Sequence, residues 1–360
     1  MTQLKIAVIG GGIFGITTAI KLSRQHDVSI YEKNSDILKG ASDVNQCRIH
    51  RGYHYPRSQK TTLQVLNSEI GFLEEFSGAI INGTENYYCI SKSDSYITSN
   101  DYINFCKKHN LEFSKINLDI VDANSVDLCV KVKEKLFDYE KLKKICWEKL
   151  KNVGVKVLLN TKAEKDVFEK FDFVIIATYA DINSLLDNYK EKQHDYQFEI
   201  CEKIFLELPQ EFHNKSIVVM DGPFLSIDPV GTKNYFIIGD VVNTVHSRNV
   251  GKFPKIDEKF LPLLDKGLIK NPSITKLDSF LNSGSRFFPK FSEAKYVGSS
   301  FSIKTVLPEV NSTDDRPTLV ERIDKNVITI FSGKISTCMD AANQVENIIN
   351  NEESNSNSQN

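Results

Sequence analysis

A chain of 360 residues, 41% hydrophobic and 26% charged, is long and apolar enough to form one large α/β unit or two domains sharing a core. Its 45 basic and 47 acidic residues leave a net charge of −2, which argues against nucleic acid or an anionic membrane as partner. Seven cysteines without a C-x-x-C pair point to reduced thiols in a cytoplasmic setting, and no stretch of about 18 uncharged apolar residues marks a transmembrane segment.

Residues 4–9 read as a short buried strand. The sequence "GGGIFG" follows, and then an apolar helical stripe over residues 13–25 with Ile16, Ala19, Ile20 and Leu22 on one side. Three glycines interrupt the run, so it does not read as a secretory signal. Residues 28–31 read as a second strand ending at Glu32. This strand–glycine turn–helix–strand unit is the dinucleotide fingerprint in its proper context. Gly10 serves the tight turn, Gly12 lets backbone approach a pyrophosphate, and Gly15 lets helix and strand pack closely. The N–H groups that open the helix, at Ile13 and Phe14, face the phosphates. Glu32, with Lys33 beside it, stands where a carboxylate accepts hydrogen bonds from an adenosine ribose, which disfavours NADP. The fingerprint alone does not separate FAD from NAD.

Next comes "CRIHRGYHYPRS", residues 47–58, with two histidines, three arginines and two tyrosines in twelve positions. Residues 138–151 carry a helical stripe (Leu142, Ile145, Cys146, Leu150), and residues 155–159 read as a strand. The runs "NYYCIS", "SIVVMDG", "FLSIDPV" and "NYFIIGDVV" read as antiparallel strands. The segment "VITIFSGKISTCMDAANQVENII" reads as strand, glycine turn and helix. The polar end "NNEESNSNSQN" reads as a disordered tail.

Taken in order, these segments resemble the D-amino acid oxidase-like superfamily of FAD-dependent oxidoreductases, with its glycine oxidases, 2-hydroxyglutarate oxidases and glycerol-3-phosphate dehydrogenases. "KGASDVNQCRIHRGYHYP" is similar to the loop in which a Ser near Ser42 meets the pyrophosphate and an I-H-x-G element passes the flavin, here Ile49 to Gly52, next to Arg48. The turn at Ala163 corresponds to an adenine contact. "FDFVIIATYAD", with Ala177 and Thr178, is similar to the strand that ends in Ala-x-Gly, although Tyr179 replaces the glycine. "FSGKIST" resembles the flavin-edge turn, and puts Gly333, Lys334, Ile335, Ser336 and Thr337 at the cofactor.

The resemblance implies an α/β protein: a Rossmann-like FAD-binding domain (residues 1–86, 136–197 and 302–350) interwoven with a smaller α+β substrate domain on a mostly antiparallel sheet (87–135 and 198–301), followed by a disordered tail (351–360). It implies noncovalent FAD. The implied reaction is hydride transfer from a CH–OH or CH–NH carbon of a small polar, anionic substrate to flavin N5, with O2 or an unknown acceptor taking the electrons. An amine or amino acid oxidase is the close alternative, and a non-catalytic NAD(H)-sensing protein is a rival of another class. His50 is the expected base, because an alcohol must lose its O–H proton as hydride leaves. Lys304 stands near where relatives place an anchoring Arg. His54, Tyr55, Arg316 and His246 are expected at the substrate.

Overall fold

The computed structural model describes residues 3–164, 166–309 and 313–357. Two large sheets dominate it. The first has six strands in the order Leu319–Asp324, Val327–Phe331, Phe173–Ile176, Lys5–Ile9, Asp27–Tyr31, Lys156–Leu158; all neighbours are parallel except the antiparallel edge pair. Its centre is buried on both faces, which explains the unbroken apolar runs Ile6–Ile9 and Phe173–Ile176. The helix Ile13–Leu22 follows the first strand and packs with the terminal helix Cys338–Asn357 through Ile16, Ile20, Ala341, Val345 and Ile349.

The second sheet is antiparallel except where Lys215–Met220 runs parallel to Glu85–Ser91. Its longest strands, Tyr196–Glu207 and Lys295–Val306, pair from Gln197↔Val306 to Glu207↔Lys295. The expected boundaries at 197/198 and 301/302 therefore cut paired strands. The ladder places both strands whole in the second sheet, the first beginning at Tyr196 and the second ending at Val306. A small third sheet joins Arg48–Ile49, Lys135–Phe137 and Ile80–Ile81.

The first helix ends at Leu22, not Gln25: Ser23 turns its hydroxyl back onto the Ile20 carbonyl at 2.9 Å and closes the last turn. The helix expected over 138–151 spans Tyr139–Asn152, with Asp138 as its cap accepting from Lys141 N at 3.1 Å. The terminal helix continues to Asn357, into the stretch read as a tail. Glu352, near the start of that stretch, pairs with Arg322 on the sheet edge. Residues 358–360 of the expected tail lie outside the described residues. Among the described residues no helix is long and apolar enough to cross a membrane.

Candidate functional site

One cavity of about 1000 Å³, at the upper end of ligand-sized pockets, is lined by residues of both large sheets. The glycine turn forms one wall. Gly10 has φ +108°, and a Cβ there would lie 2.5 Å from the Ala177 carbonyl; at Gly15 it would lie 2.0 Å from the Gly10 carbonyl. Gly12 differs, since its nearest neighbour would be Ser42 Oγ at 3.5 Å, so the space beside it is open for a ligand. The helix starting at Ile13 has no side-chain cap; Ser42 Oγ approaches Ile13 N at 3.4 Å. Its first N–H groups thus face a concave, glycine-lined surface suited to phosphate.

Buried Glu32 is held by Gly11 N at 2.7 Å and Asn34 N at 2.8 Å, and lines the cavity. Lys33 pairs with Asp181 at 2.5 Å. Farther along, Ala163, Phe168, Leu185 and Tyr189 add apolar surface to the cavity wall. Thr178 places a buried, unpartnered hydroxyl at the strand end. Tyr179 lines the cavity with φ +56°, the left-handed conformation for which a glycine is usual; its hydroxyl bonds to both backbone groups of Thr305. A non-glycine residue therefore takes the glycine geometry, held by two hydrogen bonds.

At the other end Ser332, Gly333, Lys334 and Ile335 line the cavity. Gly333 is required by packing, because a Cβ there would meet the Arg316 carbonyl at 2.3 Å, and its N–H donates to Thr318 Oγ1 at 2.9 Å. Ser336 and Thr337, expected at the cofactor, do not line it. Thr337 directs its hydroxyl to Lys334 O at 2.6 Å and Thr318, and its N–H to Lys334 O at 3.0 Å, which closes the turn instead.

His50, His54 and Tyr55 cluster on the cavity wall with ring centroids 5.2–5.4 Å apart; each histidine meets Tyr55 edge to face, and the two imidazoles are tilted at 44°. His50 Nδ1, His54 Nδ1 and the Tyr55 hydroxyl are buried without a hydrogen-bond partner among the described residues. Lys334 Nζ lies 4.8 Å over the Tyr55 ring. Burial lowers the pKa of His50 against the raising influence of Glu134, whose Oε1 lies 3.4 Å from Nδ1 without hydrogen-bond alignment. Burial, then the neighbouring His50, pushes His54 well below the usual histidine range. Burial lifts Tyr55 well above the ordinary phenol. Burial, then repulsion from Arg316, brings Lys334 down to about 7. This wall therefore consists largely of neutral hydrogen-bonding groups near neutral pH.

Arg48, expected at the cofactor, reaches the cavity but commits its guanidinium elsewhere. It donates to Asp228 Oδ1 at 2.8 Å, Glu134 Oε2 at 2.6 Å, Tyr88 OH at 3.2 Å and Ser216. Burial opposes ionisation of Glu134, yet His50, Arg48 and Tyr88 together hold it well below the usual carboxylate range. Burial pushes Asp228 up. His246, expected at the substrate, does not line the cavity. Its Nε2 meets Glu202 at 2.8 Å, and it packs on Phe260 and Phe301, because Glu202 is fully buried and needs partners. Lys304 and Arg316 do line the cavity, though each has a carboxylate partner: Lys304 meets Glu199 at 3.2 Å, where Arg248 also binds at 2.8 Å, and Arg316 meets Asp314 at 2.8 Å.

Residues 5–111 match the family described as DAO, FAD dependent oxidoreductase. The chain is 26% identical over 355 residues to the FAD-dependent monooxygenase FPY4 of Fusarium mangiferae, covering 96% of this chain and 91% of that protein. It is 26% identical over 384 residues to the FAD-dependent monooxygenase kojA of Aspergillus flavus, covering 97% and 86%. The fold is similar to L-alpha-glycerophosphate oxidase from Mycoplasma pneumoniae with FAD bound (TM-score 0.73, 13% identity, 97% and 95% covered). It is also similar to glycine oxidase from Geobacillus kaustophilus (TM-score 0.71, 14% identity, 97% and 95% covered). The chain is an FAD-dependent enzyme, and the match to the FAD-dependent oxidoreductase family lies in its residues 5–111. FAD is its cofactor, and the open face of Gly12, the uncapped helix and the orphaned Thr178 hydroxyl fit that molecule.

Glu134, Lys203, Glu199 and Tyr179 were missed as site residues. Glu134 sits in "KVKEKLF", which looks like an exposed charge run until the third sheet buries it. The other signal was available: Gln197, Glu199, Cys201 and Lys203 alternate along one strand, and all four line the cavity.

Proposed function

We propose that this enzyme oxidises the CH–OH carbon of a small polar, anionic substrate to a carbonyl, with His50 as the base. The observation that carries this reading is the proximity of His50 to Glu134: a half-buried imidazole with a burial-lowered pKa on the cavity wall, its Nδ1 3.4 Å from a carboxylate oxygen. Glu134 favours the tautomer with the proton on Nδ1, and Nε2 is then the basic nitrogen for substrate. His50 takes the hydroxyl proton as the C–H bond releases its electron pair. FAD, bound noncovalently, supplies the two-electron acceptor. His54 and Tyr55 orient the substrate oxygens, and a burial-raised Tyr55 stays a donor across the working pH range. O2 or another acceptor then takes the electrons.

Anaerobic mixing with hydroxy acids, polyol phosphates, amino acids and amines tests this. Bleaching of the flavin by a hydroxy compound supports the reading; bleaching by amines alone refutes it in favour of an amine oxidase.

A second reading is monooxygenation, favoured by the names of the two relatives at 26% identity over nearly the whole chain. It predicts a flavin that NADH or NADPH bleaches, and a product carrying one oxygen atom from labelled O2.

A further inference from the structure

Gly239 lies in the strand Phe236–Asp240, paired in register with Ser226 on Leu225–Pro229. On its other side Ile204 pairs with Ile238, which brings Lys203 beside Gly239. The loop after Asp27–Tyr31 delivers Gln46. Around the point where a Cβ would stand on Gly239 lie Gln46 Nε2 at 2.3 Å, Lys203 Nζ at 2.8 Å and Ser226 Oγ at 3.1 Å. Three groups able to donate thus converge on one bare backbone position, and all four residues line the cavity.

Among the described residues, none of these three side chains makes a hydrogen bond or ion pair with another protein group. That is unusual for an ammonium mostly withdrawn from water. Several other cations on the wall have carboxylate partners: Arg48 with Glu134 and Asp228, Arg57 with Asp221, Lys304 with Glu199, Arg316 with Asp314; Lys334 instead lies over the Tyr55 ring. Asp228 and Asp240 act on Lys203 only through space, against repulsion from Lys304, and burial brings the ammonium down to about 8. The positive charge is present at neutral pH and lacks an acceptor.

We propose that Lys203, Ser226 and Gln46, gathered over the bare face of Gly239, form an oxyanion subsite that holds a carboxylate or phosphate group of the substrate. This rests on the reading of the enzyme as one that oxidises a small anionic molecule. It makes Lys203, not Lys304 or Arg316, the cation that selects the substrate. A lysine supplies a point charge, so Ser226 and Gln46 provide the direction that a guanidinium fork would otherwise give. Gly239 is needed because any side chain there would occupy the position the three groups surround.

The test uses the FAD-loaded enzyme titrated with inorganic phosphate and, separately, with acetate. Binding is followed by perturbation of the flavin spectrum and by the rise in thermal unfolding temperature. At least one anion is expected to bind, and the tighter one names the class. Lys203→Met should weaken it by about tenfold or more with FAD content unchanged, and Lys203→Arg should recover part of the loss. Gly239→Ala, which fills the notch and keeps the lysine, should weaken binding as well. The proposal is overturned if neither anion binds the wild type, if Lys203→Met binds as tightly as wild type, or if Lys203→Met sheds FAD while Gly239→Ala binds anions normally. Anion binding needs no turnover. If no hydroxy compound bleaches the flavin while the anion data hold, the catalytic reading fails and the subsite stands.

Discussion

The Tyr179 hydroxyl bridges the two large sheets by donating to the Thr305 carbonyl at 2.8 Å and accepting from the Thr305 N–H at 2.9 Å. Tyr179 lies three residues beyond the strand Phe173–Ile176, and Thr305 follows Lys304 on one of the two longest strands of the second sheet. The phenol thus takes the place of a missing strand partner. Tyr179→Phe keeps the ring on Phe331 but leaves two backbone groups unpaired, at a cost of about 1–3 kcal/mol. Urea unfolding should register that loss with FAD content unchanged.

Gly12 and Gly15 belong to one motif and should fail in different ways. A side chain at Gly12 meets nothing closer than 3.5 Å, so Gly12→Val should fold and be isolated colourless, with less than about a tenth of the wild-type FAD. At Gly15 a Cβ would sit 2.0 Å from the Gly10 carbonyl, so Gly15→Val should be insoluble or unfolded. Circular dichroism and flavin absorbance separate the two outcomes. A yellow, fully loaded Gly12→Val would remove the phosphate role of that turn.

Arg48 is a structural cation. Arg48→Met would leave Glu134 and Asp228 buried without compensation, and should destabilise the fold by about 3–5 kcal/mol. Arg48→Lys should recover little, since an ammonium cannot span four partners in the plane of a guanidinium. Equilibrium denaturation of the two variants checks both statements.

Lys334 gives stability a dependence on pH. Burial and Arg316 bring it from an ordinary 10.5 to about 7 in the folded protein. Between about 7 and 10.5 the unfolded chain holds the proton that the folded chain has released, so stability rises with pH across that window. Below about 7 both states are charged and the penalty is fully present. Lys203 acts in the same direction from about 8, so the comparison must be with Lys334→Met, which should flatten the slope. Denaturant unfolding of cofactor-free protein at pH 6.5 and 9 should show wild type gaining about 2–3 kcal/mol on the variant.

The cofactor half of the fold was legible because its signals are local. "GGGIFG" between a strand and a helix, and a glycine turn before the last helix, are set by φ angles and close packing that few other residues allow. The substrate half was less legible. His246 and Lys304 carry the right chemistry, yet a buried Glu202 claims one and Glu199 the other, and neither carboxylate is distinguishable from a surface charge in the linear chain. Lys203 was hidden because its role depends on Gly239 and Ser226, which join it only through pairing across three strands. The helix at the C-terminus runs into the stretch whose polar composition suggested a tail, and Glu352 within it meets Arg322, a contact between residues 30 apart that composition does not show.

The polar knot around Arg48 draws on the flavin loop, on Tyr88 and Ser216 in the second sheet, on Asp228 beside them and on Glu134 at the threshold of the third. It works as a keystone: these parts cannot slide past each other without exposing a charge to a dry interior. The knot therefore braces the reaction chamber from within, while Gln197, Cys201 and Lys203 reach the same chamber from an interior strand of the second sheet.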